Sequence, residues 1–299
     1  MRLRPRHIRV VTDAIIDILE AEDIPLPDRA TAVMDRIFER HGERVLAMIY
    51  YGSSGRESHD TSKMLDFYVL VDSYRKTHGP GLRAVMNRLL PPAVYYLETP
   101  EARCKYSVLS LREFEKRCTS RAFLSQVWGR FSQPCRVVRP ASPAIAERVQ
   151  TARAQAVRHL ARETLPLVEP GTDAVSFWAR GYYESYRTEL RPEAPLERAR
   201  EIVLRHEARY AKLFDTVRHL EPNPGAARRW AMRRVLGKAM TALRVINSAA
   251  TFDGGLDYVL HKVRSHSGVS IEPTPSQHRH PVLWSPVLAW KLWRRGAFR

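Results

Sequence analysis

Apolar residues recur with helical spacing at the start of the chain. Residues 8–21 and 29–41 have apolar positions three and four apart. The second segment follows Asp28, a residue suited to cap a helix, and stops before Gly42. Both segments are therefore predicted to be short helices that precede the first strand.

The pattern then changes to extended segments rich in β-branched and aromatic residues. The first is Val45 to Tyr51, and "MLDFYVLVD", "AVYYLE" and "CKYSVLSL" follow it along the chain. Four strands with helices among them predict a small mixed sheet with flanking helices. We assign this α+β domain to residues 1–141.

Strand patterns stop after residue 141, and long helical patterns replace them. The first predicted helix has Ser142 as its N-cap and Pro143 at the first helical position. Three more helices are predicted downstream, at residues 173–190, 196–219 and 226–249. We expect an α-helical domain over residues 142–269.

The last segment, residues 270–299, combines the Pro-rich stretch "SIEPTPSQHRHP", a predicted linker, with the tail "WSPVLAWKLWRRGAFR". Ser285 is the predicted N-cap of a tail helix with Pro286 at its first position. The cations of this helix occupy a narrow arc of its circumference, and apolar residues occupy most of the remaining circumference. This distribution suits a membrane interface. The alternative is that the apolar face packs on the protein's own core. The predicted interface residues are Trp284, Trp290, Lys291, Trp293, Arg294 and Arg295.

The charge of the chain indicates a polyanionic partner. The 49 Lys and Arg residues outnumber the 32 Asp and Glu residues, which gives a net charge of +17. Nucleic acid, an anionic membrane surface and a nucleoside triphosphate all fit this excess. No apolar run approaches the roughly 20 residues that span a bilayer. We therefore expect a cytoplasmic protein that associates peripherally with the inner face of the membrane.

Candidate chemistry lies where the first strand ends and the second begins. Glycine at Gly52 lets the backbone approach a phosphate closely, and the Ser53 hydroxyl and nearby amides can bond its oxygens. Asp66 would then lie beside the phosphates as a magnesium ligand, as in the nucleotidyltransferase fold. The alternative is a plain β-turn followed by a strand-edge aspartate.

The metal site is short of one carboxylate. Most nucleotidyltransferases have a second acid two positions after the first, where this chain has Tyr68. Asp72 points to the same side of the strand but lies roughly 20 Å farther along it. Glu98, at the end of the third strand, is a candidate second donor, and the alternative is a solvated turn residue.

Five separated segments resemble one family. "YYGSSG", "MLDFYVLVDSYRKTH", "AVYYLE", "CKYSVLSLREFE" and "FLSQVWGRFSQPCRVV" occur in the order, and close to the spacing, of the mitochondrial translocator-assembly-and-maintenance family of phosphatidate cytidylyltransferases, which are CDP-diacylglycerol synthases. The resemblance covers about Tyr51 to Val138. Ser107 and Trp128 depart from it, since they replace a glycine and an alanine of the family pattern.

The resemblance implies transfer of CMP from CTP to phosphatidic acid, with Mg²⁺, to give CDP-diacylglycerol and pyrophosphate. It implies catalytic roles for Asp66 and Ser53, with Asp66 on the metal. The nucleotide-binding residues that it implies are Gly52, Ser53, Ser54, Lys105, Tyr106 and Arg130.

The acceptor's phosphate also has candidate ligands in the helical half. Helical spacing places Glu184, Arg187 and Arg191 along one face, so both arginines are candidates for lipid phosphate binding. The alternative is a solvated salt-bridge face. A phosphomonoester with a second pKa near 6 is already mostly ionised at neutral pH, so it would attack without a general base.

Three functions remain open from the sequence. The leading one is a phosphatidate cytidylyltransferase at a membrane surface. The second is a nucleotidyltransferase that acts on RNA or on another phosphate or hydroxyl acceptor, although no nucleic-acid-binding motif accompanies the charge and we expect no nucleic-acid partner. The third is a non-catalytic lipid-binding member of the fold, for which Tyr68 is the main support.

Overall fold

The computed structural model describes residues 5–51, 64–78, 90–190, 194–251, 267–279 and 281–297, together with positions 85, 88, 256, 260, 263 and 264. Within these residues five strands form one mixed sheet flanked by helices. This is the α+β class that the sequence predicts.

The sheet has the strand order β3-β4-β2-β1-β5. Strand β1 is antiparallel to β2 and to β5, β2 is parallel to β4, and β3 is antiparallel to β4. The four predicted strands are confirmed. The fifth has three residues, too few to show an alternating pattern. The strands are β1 (Val45–Tyr51), β2 (Leu65–Val71), β3 (Ala93–Glu98), β4 (Arg103–Ser110) and β5 (Arg136–Val138).

Helices surround the sheet and make up the second half of the chain. Short 3₁₀ turns occur at Gly42–Arg44 and Leu165–Leu167. The α-helices of the described residues are α1 (Pro5–Glu20), α2 (Ala30–His41), α3 (Tyr74–His78), α4 (Leu111–Arg117), α5 (Trp128–Phe131), α6 (Pro143–Thr164), α7 (Ala174–Tyr186), α8 (Pro195–Arg205), α9 (Glu207–Val217), α10 (Ala226–Thr251), α11 (Pro275–Arg279) and α12 (Pro281–Arg294).

Most predicted helix ends match, and two do not. The Ser142 hydroxyl accepts a hydrogen bond from the Ile145 amide at 3.3 Å, so it caps α6 as predicted. Asp28 does not cap α2, whose N-cap is Arg29, without a side-chain capping hydrogen bond. The helix predicted over 196–219 is two helices, because the backbone of His206 departs from helical geometry with φ −123° and ψ 38°.

The two faces of the sheet are buried in different cores. Alternate residues of a strand point to opposite faces, so Phe67 packs with α2 while Tyr68 packs toward the helical half. The core on the Tyr68 side continues through Val11 of α1 and Val157 of α6. Although the domain boundary at 141/142 stays a prediction, the hydrophobic core runs across it.

Buried ion pairs connect the chain's beginning to its helical half. Glu22, just after α1, accepts hydrogen bonds from Arg153 at 2.7 Å and from Arg209 at 2.6 Å. Burial alone would raise the pKa of Glu22, but these two arginines lower it below its ordinary value. In the same way Glu163 of α6 pairs with Arg233 of α10 at 2.6 Å. These pairs hold α1, α9 and α10 on α6.

The tail differs from its prediction in two respects. Helix α12 begins at Pro281, so Ser285 is not its N-cap and Pro286 lies inside the helix. The predicted linker contains the short helix α11. Pro275 and Pro281 each lie at the first position of a helix. Proline is tolerated there because the amide hydrogen it lacks would have no partner within the helix. Within the residues that the structure describes, no helix has both the length and the apolar character needed to cross a membrane.

We expect His159 of α6 to make stability depend on pH. Its ring lies against Trp128 with a centroid separation of 4.8 Å, and burial lowers its pKa to about 4. The folded state therefore keeps this residue neutral while the unfolded chain takes up a proton as the pH falls through about 6.5. Between pH 6.5 and 5 this should cost about 2 kcal/mol of unfolding free energy.

Urea unfolding at pH 7 and pH 5 measures this effect. His159→Phe, which cannot protonate, should remove most of the loss, whereas the same change at the exposed His219 should not. Equal losses in wild type and His159→Phe would assign the pH dependence to other groups.

Candidate active site

A row of three side chains crosses the sheet at one end. Asp66 is the register partner of Tyr51 on β1 and of Lys105 on β4. Neighbours in register share a face of the sheet, and this face packs toward the helical half. The Lys105 ammonium lies 3.5 Å from the Asp66 carboxylate, and both side chains are partly exposed. The row thus offers a carboxylate and a cation to a ligand at the sheet's end.

Arg130 of α5 reaches the same row from above the sheet. Its guanidinium carbon lies 4.9 Å from the ring centre of Tyr51, and its Nη2 lies 3.8 Å from the Glu189 carboxylate. Burial alone would lower the pKa of Arg130, but the surrounding Tyr51, Glu189, Tyr68 and Asp66 raise it above its ordinary value. The guanidinium therefore stays charged. Lys105 and Arg130, both predicted to bind nucleotide, come together around Asp66.

Tyr51 completes this corner as a neutral phenol. Burial and then the Asp66 charge raise its pKa, and Arg130 and Lys105 offset only part of this rise. Tyr51 is also the last residue of β1, so the chain leaves β1 directly beside Asp66. The predicted triphosphate-binding residues Gly52, Ser53 and Ser54 come next in sequence and lie outside the described residues.

Tyr106 does not join the site. It follows Lys105 on β4 and therefore points to the opposite face, where it is fully buried. Its ring stacks on Tyr95 at 5.1 Å, and its hydroxyl lies 3.1 Å from Nε2 of His41. We therefore remove Tyr106 from the predicted nucleotide-binding set, since the sheet separates it from Asp66.

Glu98 lies apart from Asp66 as well. It pairs in register with Arg103, and its carboxylate accepts a hydrogen bond from the Tyr96 hydroxyl at 2.9 Å. Strand β4 lies between β3 and β2, which separates Glu98 from Asp66 by about 10 Å laterally. The structure does not bring the two predicted metal ligands together.

The donor set around Asp66 suits a cation shared with a ligand. In the part of the chain that the structure describes, no cluster of three His, Cys, Asp or Glu residues could hold a metal ion. Tyr68, at the position of the second carboxylate, packs its ring 4.8 Å from Phe131. Mg²⁺ is commonly held by one or two carboxylates together with substrate phosphates. Asp66 fits that role, whereas the described residues around it do not form a site from protein ligands alone.

The candidate lipid-phosphate residues lie farther along the helical half. Arg187, which follows α7, has its Nη1 3.7 Å from the buried Glu184 carboxylate and its guanidinium carbon 5.1 Å from the Tyr183 ring centre. Arg191 lies outside the described residues. Arg187 borders a pocket of about 360 Å³ that adjoins Arg130 through Glu189. The pocket is lined by Tyr183, Tyr186, Arg187, Glu189, Pro195, Arg234 and Lys238.

Three residues of the site were not predicted. Of the three, Tyr51 was the easiest to infer, because it directly precedes the Gly-Ser pair that was expected to lie near Asp66. Glu189 and Arg244 come from the helical half, and Arg244 of α10 lies near Tyr68 and Glu189. In the sequence Arg244 is one of many arginines on helical patterns. Only the packing of α10 shows that it faces the sheet.

Comparisons with known proteins add little to this geometry. No protein-family model matches the chain, and no curated protein matches it in sequence. Among solved structures it is similar to a nucleotidyltransferase-like protein from Exiguobacterium sibiricum 255-15, with 12% identity and a TM-score of 0.26 over 90% of this chain and 91% of that one. A TM-score this low supports no conclusion about function.

The opposite orientations of Lys105 and Tyr106 give a direct test of the site. Lys105→Gln removes a cation from the Asp66 row and should weaken binding of Mg²⁺–CTP by about 10- to 100-fold, the usual cost of losing a charge-assisted contact. Tyr106→Phe removes a hydroxyl on the far face and should leave the affinity within about twofold. Calorimetric titration of both variants measures this. Equal weakening would mean that the site does not lie on the Lys105 face.

Proposed function

We propose that this protein transfers CMP from CTP to phosphatidic acid at a membrane surface, giving CDP-diacylglycerol and pyrophosphate. The observation that carries the proposal is the meeting of Asp66, Lys105 and Arg130 on one sheet face, beside the strand end that leads into Gly52 and Ser53. Two fixed cations and a carboxylate at such a strand end suit a triphosphate and its magnesium ion.

Each side chain has a defined part in this reaction. Lys105 and Arg130 would bind phosphate oxygens and balance the charge that develops on the leaving pyrophosphate. Asp66, held in place by its pair with Lys105, would hold Mg²⁺ together with the phosphates. The magnesium ion, when bound, would neutralise and orient the triphosphate. Tyr51 would support Arg130 through its ring face.

Phosphatidic acid as the acceptor is consistent with the single carboxylate in the row Tyr51, Asp66 and Lys105. Asp66 is occupied by Lys105 and by its proposed metal role, so it is a poor candidate for a general base. An ionised phosphomonoester needs no base, whereas a hydroxyl does. This favours a phosphate nucleophile over the hydroxyl of RNA.

The tail helix supports action at a membrane. Leu288 and Leu292 are buried, and α12 contacts α10, so the helix is fixed to the protein by one side. Trp290 and Trp293 are 52% and 65% exposed on other sides. Exposed tryptophans beside cations are typical of helices that lie in the membrane interface.

The predicted interface residues of this helix have unequal roles. The Arg294 guanidinium lies 4.9 Å from the Trp290 ring centre, and Lys291 is exposed. Arg295 instead donates a hydrogen bond to the Ser270 carbonyl at 2.8 Å, and Trp284 is only 36% exposed. We therefore place most of the membrane affinity in the other four positions, Trp290, Lys291, Trp293 and Arg294.

Replacing Asp66 tests the catalytic proposal. Asp66→Asn keeps the shape of the side chain but removes its charge, so CTP- and phosphatidate-dependent release of pyrophosphate should fall by at least about 1,000-fold. Circular dichroism should show an unchanged fold, since the side chain is partly exposed. A variant with wild-type turnover would remove Asp66 from the catalytic site.

A screen of nucleotides and acceptors tests the substrates. Pyrophosphate release should be greatest for CTP with phosphatidic acid among all pairings of CTP, ATP and UTP with phosphatidic acid or RNA. Turnover with RNA alone would favour an RNA-modifying enzyme. Lipid binding without any turnover would favour a non-catalytic role.

The tail is tested without deleting it, because deletion would expose the surface that Leu288 and Leu292 cover. Replacing Trp290 and Trp293 together by alanine should lower flotation with phosphatidate-containing liposomes by about 10-fold or more. Replacing Leu196 and Leu204, two exposed residues of α8, is the matched control and should have little effect. Equal flotation of all three proteins would exclude the tryptophans as the membrane contact.

A further inference from the structure

Arg244 of α10 has a buried nitrogen with no hydrogen-bond partner among the described residues. Its Nε is shielded from solvent and makes no hydrogen bond to any described residue, and the same holds for Nε of Arg130. Burying a guanidinium nitrogen without a partner is costly. Four other arginines of the described residues also have such a nitrogen, but Arg130 and Arg244 are the two that have Tyr68 and Glu189 as common neighbours. A ligand that accepts hydrogen bonds at this place would satisfy them.

Close contacts position Arg244 at the candidate site. Gly237, Thr241 and Arg244 are spaced i, i+4 and i+7, so they share one face of α10. A Cβ at Gly237 would clash with the Thr188 carbonyl oxygen, and the Thr241 hydroxyl accepts a hydrogen bond from Gln126 at 3.1 Å. This face of α10 is thus fixed against the segments that carry Glu189 and Arg130.

Arg244 has one cation, Arg117, and one carboxylate, Glu189, among its described neighbours. Burial and the neighbouring Arg117 lower the pKa of Arg244 to about 10, and Tyr68 and Glu189 offset part of this effect. The residue is still protonated at neutral pH. Tyr68 and Glu189 are also neighbours of Arg130. Glu189 is therefore the carboxylate that acts on both guanidinium groups. Asp66 acts in addition on Arg130.

The opposite face of α10 is apolar and exposed. Met232, Val235, Leu236 and Leu243 are between 47% and 72% exposed there, and α12 contacts the same helix. Arg244 thus belongs to a helix that also presents apolar surface on its other side. The Tyr51–Asp66–Lys105 row lies at the end of β1, and the Gly-Ser residues expected to bind the triphosphate follow Tyr51 in sequence.

Resting on the proposed function, we propose that Arg244 binds the phosphomonoester of the lipid acceptor, while Lys105, Arg130 and Asp66 serve the nucleotide and its leaving pyrophosphate. This assignment differs from Arg187 and Arg191, the pair expected from the sequence. Arg187 is instead engaged by Glu184 and Tyr183. A bidentate guanidinium matches the geometry of a phosphate better than an ammonium does.

Kinetics of Arg244→Gln test this division of roles. The KM for a short-chain phosphatidate should rise by about 10-fold or more, and the KM for CTP should stay within about twofold. Arg244→Lys, which keeps the charge but not the fork, should recover only part of the loss. Arg200→Gln, an exposed arginine of α8, is the matched control and should match wild type. A rise in the KM for CTP instead, or no change in either constant, would overturn the assignment.

Binding without turnover separates this inference from the proposed function. Calorimetry with monomeric dihexanoyl phosphatidic acid, and no nucleotide, should show about 10-fold weaker binding to Arg244→Gln than to wild type or Arg200→Gln. Dihexanoylglycerol, which lacks the phosphate, should not bind measurably, and inorganic phosphate should bind more weakly than the lipid. This result would uphold the inference even if no turnover were seen, in which case only the proposed reaction fails.

Equal affinity of wild type and Arg244→Gln for the lipid would overturn the inference whatever the turnover. Binding of inorganic phosphate as tight as that of the lipid would likewise contradict a lipid acceptor. If Arg244→Gln does not fold, as judged by circular dichroism, Arg244→Lys takes its place, and a lipid affinity equal to that of wild type would then overturn the assignment.

Discussion

The register between the parallel strands β2 and β4 is the constraint on which the candidate site depends. It places Lys105 beside Asp66, while the antiparallel pairing of β1 places Tyr51 on the other side. Because side chains alternate along a strand, a shift of one residue would turn Asp66 into the core that contains Phe67. The fully buried residues that follow on β2 fix this register, so the apolar pattern of the strand also positions its one carboxylate.

The helical half supplies what the sheet lacks. It covers the face that carries Asp66 and contributes Glu189 and Arg244, while the cation Arg130 comes from α5 in the first half of the chain and lies near Glu189. Buried pairs centred on Glu22 and Glu163 tie this half together. An anionic ligand would therefore be enclosed between a sheet and helices that share one core, and residues from both halves of the chain would bind it.

Local patterns in the sequence predicted local structure well. Alternating apolar residues identified four strands, and Ser142 with Pro143 identified the start of α6. Tyr106 was misplaced because the pattern of β4 does not show which of two adjacent residues faces the helices. Arg244 was missed because its role depends on a glycine contact at Gly237, far in sequence from the sheet. Ser285 with Pro286 looked like a helix start because proline is common at the first helical position, but Pro281 has the same signal five residues earlier, where α12 begins.

The candidate metal site also differs from what the sequence led us to expect. Tyr68 occupies the position where a second carboxylate was expected, and its ring packs into the aromatic cluster with Phe131. A site with one carboxylate should hold a divalent cation weakly by itself and firmly only with phosphate oxygens. Water-proton relaxation with Mn²⁺ in place of Mg²⁺ tests this most directly. The account predicts a strong enhancement only when protein and CTP are both present, and its loss in Asp66→Asn. Tight Mn²⁺ binding without CTP, or an undiminished enhancement in the variant, would contradict it.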